Sequence, residues 1–162
     1  MANTYTQIYL QLVFGVKWRQ CLIHDKFREE LHKYITGVVE NRKQKLIAIN
    51  SMPDHIHILV GFGTTITISD LVHDIKIAST NFINDQRLVP GKFSWQNGYG
   101  AFSYSRSHLD RIVKYILNQQ KHHKTKTFKE EYIEFLEKYD IVYNPKYLFD
   151  WPKKKEETEI NS

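Results

Sequence analysis

Between Thr6 and Tyr104 the chain switches repeatedly between two hydrophobic periods, and the order of those switches restricts the fold more than any other feature. Thr6 to Phe14 (TQIYLQLVF) is rich in β-branched and aromatic residues with a period near two, which predicts a strand. From His24 to Glu40, Phe27, Leu31, Tyr34, Ile35 and Val38 recur at helical spacing and predict an amphipathic helix. Lys45 to Asn50 and His55 to Phe62 read as two further strands. Ser51-Met52-Pro53-Asp54 supplies the turn between them, because Pro and Asp suit turn positions and Pro lacks a ladder donor. So short a connection makes the pair a hairpin. Ile68 to Asn84 carries Leu71, Val72, Ile75, Ala78 and Phe82 on one face of a second long helix, with Thr67 or Ser69 as its N-cap. A fourth strand, Ala101 to Tyr104, follows a Gly98-Tyr99-Gly100 turn. Ser107, with Asp110 three residues on, forms a variant capping box for a helix reaching about His122. A last helix, Lys126 to Lys138, precedes an aromatic-rich segment from Tyr143 to Trp151.

This order predicts an α+β domain: a ferredoxin-like split βαβ with an antiparallel sheet of about four strands, covered by helices on one face. The 162 residues suit one domain, and a hydrophobic fraction of 41% is enough for a core. We expect the domain to occupy residues 1–150. Residues 151–162 form a polar tail whose run Lys153 to Glu159 has no apolar residue and is expected to stay solvated. Cys21 is the sole cysteine, which excludes an intrachain disulfide and a cysteine zinc cluster. Met1 to Phe14 is not a basic segment followed by an apolar run, and no stretch nears the roughly 18 apolar residues of a membrane span. A cytoplasmic address without a membrane partner is therefore expected. The net charge of +5 suits a polyanionic partner without requiring one. An aromatic fraction of 14%, with ten Tyr and three Trp, provides rings that either stack on bases or fill the core.

Two constellations carry possible chemistry. In His55-Ile56-His57, residues i and i+2 of a strand point to the same face, so both imidazoles can converge on one cation or simply face solvent. Tyr115 and Gln119 are four apart on a predicted helix and share a face, with Cβ atoms about 5–6 Å apart. Phosphoryl transfer needs an aligned nucleophile and stabilised charge, which a divalent ion supplies. Neutral imidazoles and an amide carbonyl leave most of that ion's charge intact, and imidazole suits zinc as well as manganese. A phenolate is a moderate leaving group, so a phosphotyrosine link is reversible. Lys76, Ser79 and Asn81 on the second helix either meet a DNA backbone or form a solvated face. Trp95 and Tyr99 either stack bases or brace the sheet. His108, His122 and His123 are read as polar residues near helix ends, the last two with favourable dipole contacts. Tyr132, Tyr139, Tyr143 and Tyr147 lack a ligand-type partner at helical spacing and rank behind Tyr115 as nucleophiles.

Three blocks in order, Met52-Pro53-Asp54-His55-Ile56-His57-Ile58-Leu59, then Trp95-Gln96-Asn97-Gly98-Tyr99-Gly100-Ala101-Phe102-Ser103, then Tyr115-Ile116-Leu117-Asn118-Gln119 with His122-His123, resemble the single-tyrosine HUH transposases of the IS200-like family. The resemblance spans roughly Tyr5 to Tyr147. It implies that His55 and His57 are the metal pair, Gln119 the third ligand and Tyr115 the nucleophile. It also implies magnesium or manganese, a 5′-phosphotyrosine intermediate, single-stranded DNA with hairpins as substrate, and a homodimer whose tyrosine helix works in cis or in trans. Lys76, Ser79, Trp95 and Tyr99 remain possible DNA contacts. Tyr104 departs from the pattern, standing where a small aliphatic residue is frequent, and is expected to matter little. Rival readings are a non-catalytic module that binds nucleic-acid hairpins, a domesticated relative that still cleaves, and a zinc hydrolase using His55 and His57.

Overall fold

Strand β3 (His55–Gly61) lies inside the sheet, and both its faces are buried. The structure, a computed structural model, describes residues 3–148; the polar tail and the end of the aromatic segment lie outside the described residues. β3 pairs antiparallel with β1 (Tyr9–Gly15) on one side and with β2 (Lys45–Met52) on the other, and β4 (Gly100–Tyr104) completes the order β2-β3-β1-β4. With α1 (Asp25–Asn41) and α2 (Ile68–Asp85) as the crossovers, this is the ferredoxin-like split βαβ that the periodicities predict. Only Pro53 and Asp54 separate β2 from β3, so the turn is tighter than the expected four residues.

Leu12, Phe14, Ile56, Ile58 and Val60 point to one face and pack against Leu31, Ile35, Leu71 and Ile75 of α1 and α2. Each such side chain, fully buried, is worth about 1.5–3 kcal/mol. Trp95 closes this core with its edge against Phe14 and Phe93, at 4.9 Å in each case. A bulge between Leu46 and Ala48 keeps Leu46 and Ile49 on this face while Ala48 turns to the other. Thr67 caps α2 by accepting a hydrogen bond from the Asp70 amide at 3.1 Å.

α1 and α2 are the expected helical layer, but the opposite face is covered too. There Val13, Leu59 and Phe102 alternate with the first set and would otherwise expose apolar surface. α3 (Leu109–Leu117), α4 (Gln119–His122) and α5 (Phe128–Lys138) cover them through Ile116, Phe128, Tyr132 and Leu136. The helix expected from Ser107 to His122 is divided at Asn118 (φ −99°, ψ 19°). There the Asn50 amide reaches from β2 and donates to the Ile116 carbonyl at 2.8 Å and to Gln120 Oε1 at 3.0 Å. The expected Ser107 capping box is also absent, because a 3₁₀ turn at Arg106–His108 precedes α3 and Ser105 bonds Ser107 and His108 instead. Among the described residues no helix is long and apolar enough to cross a membrane.

Candidate metal centre and tyrosine site

The alternation that sends Ile56 and Ile58 into the first core sends His55 and His57 to the second face, where both are fully buried. Each ring is held by its Nδ1. His55 Nδ1 donates to Asp54 Oδ1 at 2.6 Å, and His57 Nδ1 donates to Gln11 Oε1 at 2.7 Å. These bonds set the tautomer and turn both Nε2 atoms toward one point. Gln11 is itself fixed by donating from Nε2 to the Tyr104 hydroxyl at 2.8 Å. Tyr104, expected to matter little, therefore steadies the partner of His57.

Gln119, at the start of α4, is fully buried, and its Oε1 lies 3.5 Å from His55 Nε2. Tyr115, one turn earlier on α3, is half-buried, with its ring 6.1 Å from that of His57 and stacked on His122 at 4.8 Å. The four side chains singled out by spacing and resemblance thus meet in a single chain.

Two further residues complete the cluster. Glu131 of α5 is 2% exposed. Its Oε1 lies 2.9 Å from His57 Nε2, 3.3 Å from His123 Nε2 and 3.5 Å from His55 Nε2. Its Oε2 accepts a hydrogen bond from the Tyr115 hydroxyl. His123 Nε2 also lies 2.9 Å from Gln119 Oε1, so the expectation that His123 is only a polar helix-end residue does not hold. Packing puts these groups here. The Phe128 ring stacks flat on His55 at 4.1 Å, and it reaches that close because Gly15 beside it has no side chain. A Cβ on Gly15 would stand 2.8 Å from that ring.

The electrostatics follow from burial. His57 is held below the ordinary imidazole range, chiefly by desolvation. His55 is raised: burial works against its charge, and the hydrogen bonds to Asp54 and Glu131 overcome that. Burial also opposes ionisation of Glu131, but the bonds from His123, His55 and His57 hold its carboxyl far below the usual range. Tyr115 is pushed well up, by burial first and by the neighbouring Glu131 charge second.

These contacts test whether the residues fit a divalent cation. His55 and His57 already use their Nδ1 protons, so as neutral rings they turn lone pairs toward the Glu131 carboxylate. Lone pairs facing a carboxylate oxygen repel unless a cation, a metal ion or extra protons, lies among them. Donor atoms of His55, His57, His123 and Glu131 all lie within 4.8 Å of one another. Imidazole nitrogen and carboxylate oxygen are the donors that divalent transition ions prefer. The set fits.

The possible DNA contacts are placed less uniformly. Ser79 is fully buried, accepts from Trp95 Nε1 at 2.9 Å and donates to the Ile75 carbonyl at 2.6 Å. Trp95 is 7% exposed. Their surfaces are consumed by the core, which corrects the reading of both as DNA contacts. Lys76 donates to the carbonyls of Gln96 at 2.8 Å and Gly98 at 2.7 Å, bracing the loop that presents the exposed Tyr99. Beside Tyr115 a cleft is lined by Tyr104, Arg111, Ile112, Glu131, Glu134, Phe135 and Lys138, so its two cations are matched by two carboxylates. Of the rival tyrosines, Tyr132 is buried in the second-face core and its phenol is pushed up to about 12 by burial.

The comparisons with known proteins bear on the family and the fold. The family described as "Transposase IS200 like" matches residues 4–119, ending at Gln119. The chain is 25% identical over 118 residues to the ISDra2 transposase TnpA of Deinococcus radiodurans, covering 70% of this chain and 84% of that protein. A solved Deinococcus radiodurans structure, described as a transposase, shares the fold with a TM-score of 0.58 at 22% identity, over 74% of this chain and 95% of that one. A REP-associated tyrosine transposase, solved bound to a REP hairpin, aligns with a TM-score of 0.57 at 16% identity, over 76% of this chain and 73% of its own.

Proposed function

The chain belongs to the IS200-like transposase family, and from that premise we propose that it cleaves and rejoins single-stranded DNA at hairpin-bearing element ends through a phosphotyrosine on Tyr115. His55, His57 and Gln119 are the residues that hold the cation, magnesium or manganese. The observation that carries this reading is the meeting of two Nε2 atoms and the Gln119 carbonyl beside the Tyr115 hydroxyl.

Each residue has a separable task. The Tyr115 oxygen attacks the phosphorus, the bond to the 3′-oxygen breaks, and the 5′-phosphate stays on the enzyme while a 3′-hydroxyl is released. A cation held by these residues would supply positive charge to offset the charge developing on the phosphoryl oxygens. Asp54 and Gln11 orient the two imidazoles, so the ligands need no rearrangement at the moment of reaction. Burial keeps the Tyr115 phenol protonated before DNA binds, which protects the nucleophile and requires its proton to leave during attack. The covalent link keeps the strand end until a second 3′-hydroxyl takes it back.

Nucleophile and imidazole pair sit within reach in one chain, which supports action in cis; a homodimer remains part of the proposal, to be read by sedimentation. The domain is taken to end near residue 150. The test uses single-stranded hairpin DNA from the element end, labelled on the 3′ side of the cut. Wild-type protein with magnesium is expected to carry the label covalently, and Tyr115→Phe is expected to bind the hairpin without capturing it. Cleavage by Tyr115→Phe at the wild-type rate would remove Tyr115 from the role.

A further inference from the structure

Glu131 and His123 lie beyond Gln119, where the match to the family ends, yet both stand inside the cluster. Glu131 comes from α5, an element separate from β3, α3 and α4, which hold or adjoin the other groups. A charged carboxylate 2% exposed needs strong partners, and Glu131 has them at both oxygens. Oε1 faces three imidazole nitrogens at 2.9, 3.3 and 3.5 Å. Neighbouring ligands around one ion with bonds of about 2.1 Å are separated by about 3 Å. Oε2 holds the Tyr115 hydroxyl.

We propose that Glu131 is a metal ligand and a positioning residue at once: Oε1 joins His55 and His57 on the cation, while Oε2 fixes the Tyr115 hydroxyl beside it. α5 then makes the centre richer in anionic charge than a site of two imidazoles and an amide. The added carboxylate oxygen strengthens the hold on magnesium and manganese alike, since both accept oxygen donors. It also ties the nucleophile to the ion through one rigid group, so the phenol is placed before DNA arrives. The inference rests on the reading of His55 and His57 as the metal pair.

The test is Mn²⁺ binding to the full chain without DNA, followed by electron paramagnetic resonance of free Mn²⁺. Glu131→Gln keeps the shape and removes the charge, and is expected to lower Mn²⁺ affinity by at least about tenfold. Glu131→Asp is expected to restore part of it. If the carboxylate merely plugs the centre, Glu131→Gln binds Mn²⁺ as well as or better than wild type, and the proposal is overturned. His57→Ala separates the two levels. Loss of binding in His57→Ala with full binding in Glu131→Gln defeats the role of Glu131 alone. Full binding in His57→Ala defeats the metal-pair reading and this inference with it. Should Glu131→Gln not fold, crystals of wild-type protein soaked in Mn²⁺ decide the matter: Oε1 about 2.2 Å from the ion supports the role, and Oε1 outside coordination distance overturns it.

Discussion

The two faces of one sheet are built on opposite principles. On the α1/α2 face, β1 and β3 contribute Leu12, Phe14, Ile56 and Ile58, all fully buried and apolar. On the α3–α5 face the same strands set Gln11, His55 and His57, equally buried and polar, beside the apolar Val13 and Leu59. Burial alone therefore does not separate structure from chemistry here. What separates them is whether the buried group must be satisfied by directed bonds. The titrations make the same contrast. His32 of α1 is held down to about 4, by burial first and by the Arg28 charge second, and it is neutral while bonded to Ser51. His55, buried more deeply, is raised because Asp54 and Glu131 meet it.

The strongest way to break this comparison is to change adjacent residues of β3. His57→Ala is expected to lower DNA cleavage by at least about 1000-fold, since a cation is worth several kcal/mol to phosphoryl transfer. Ile58→Ala, one residue on and facing the other way, is expected to lose about 2–5 kcal/mol of stability while cleavage per folded molecule is unchanged. Single-turnover cleavage and urea unfolding on the same samples read both. If Ile58→Ala, still folded, loses cleavage as His57→Ala does, the faces are not independent.

Much of this division is legible in the chain. A period of two over His55 to Phe62 already assigns Ile56 and His57 to opposite faces, and the spacing of four puts Tyr115 and Gln119 together. Glu131 is not legible in that way, because nothing local connects it with His57 across the sequence separation of 74 that the hydrogen bond spans. A signal did exist. Glu131 falls within the stripe Phe128, Tyr132, Phe135 of α5, and a carboxylate on an apolar stripe needs a partner. His123 was hidden by the break at Asn118, since a continuous helix would aim it differently. Ser79 and Trp95 mislead because polar and aromatic side chains that could meet DNA can also satisfy each other inside a core.

Weaker effects sharpen the contrast. Asp54→Asn removes the charge that orients His55 and is expected to weaken Mn²⁺ affinity by about 10–100-fold with little change in unfolding. An unchanged affinity would show that His55 is oriented by packing on Phe128 instead. On the other face, the depressed His32 has a clear sign. Above its unfolded value of 6.5 the ring is neutral in both states and the stability is complete. As pH falls from there toward about 4, the unfolded chain takes up a proton that the folded one refuses, so stability declines. The decline expected between about pH 7 and about pH 5 is of order 1–2 kcal/mol. His32→Gln should remove this part of the urea-midpoint shift, and an unaltered shift would assign it to another group.

The smallest effect discriminates most finely. Thr67 caps α2 by accepting from the Asp70 amide at 3.1 Å, and Thr127 caps α5 by accepting from the Glu130 amide at 3.2 Å. Each cap changed to Ala is expected to cost about 1 kcal/mol. The same loss falls on different faces. Fraying the first turn of α2 disturbs only apolar packing, so Thr67→Ala should leave Mn²⁺ affinity as it was. Fraying the first turn of α5 loosens Phe128 on His55 and Glu131 beside His57, so Thr127→Ala should lower that affinity by up to about fivefold, the equivalent of 1 kcal/mol. Hydrogen exchange along α2 and α5 would show that each helix had been loosened, and the Mn²⁺ titration would then show which helix the centre depends on. Equal affinities in the two variants would mean that α5 is a cover over the site, with no share in holding it.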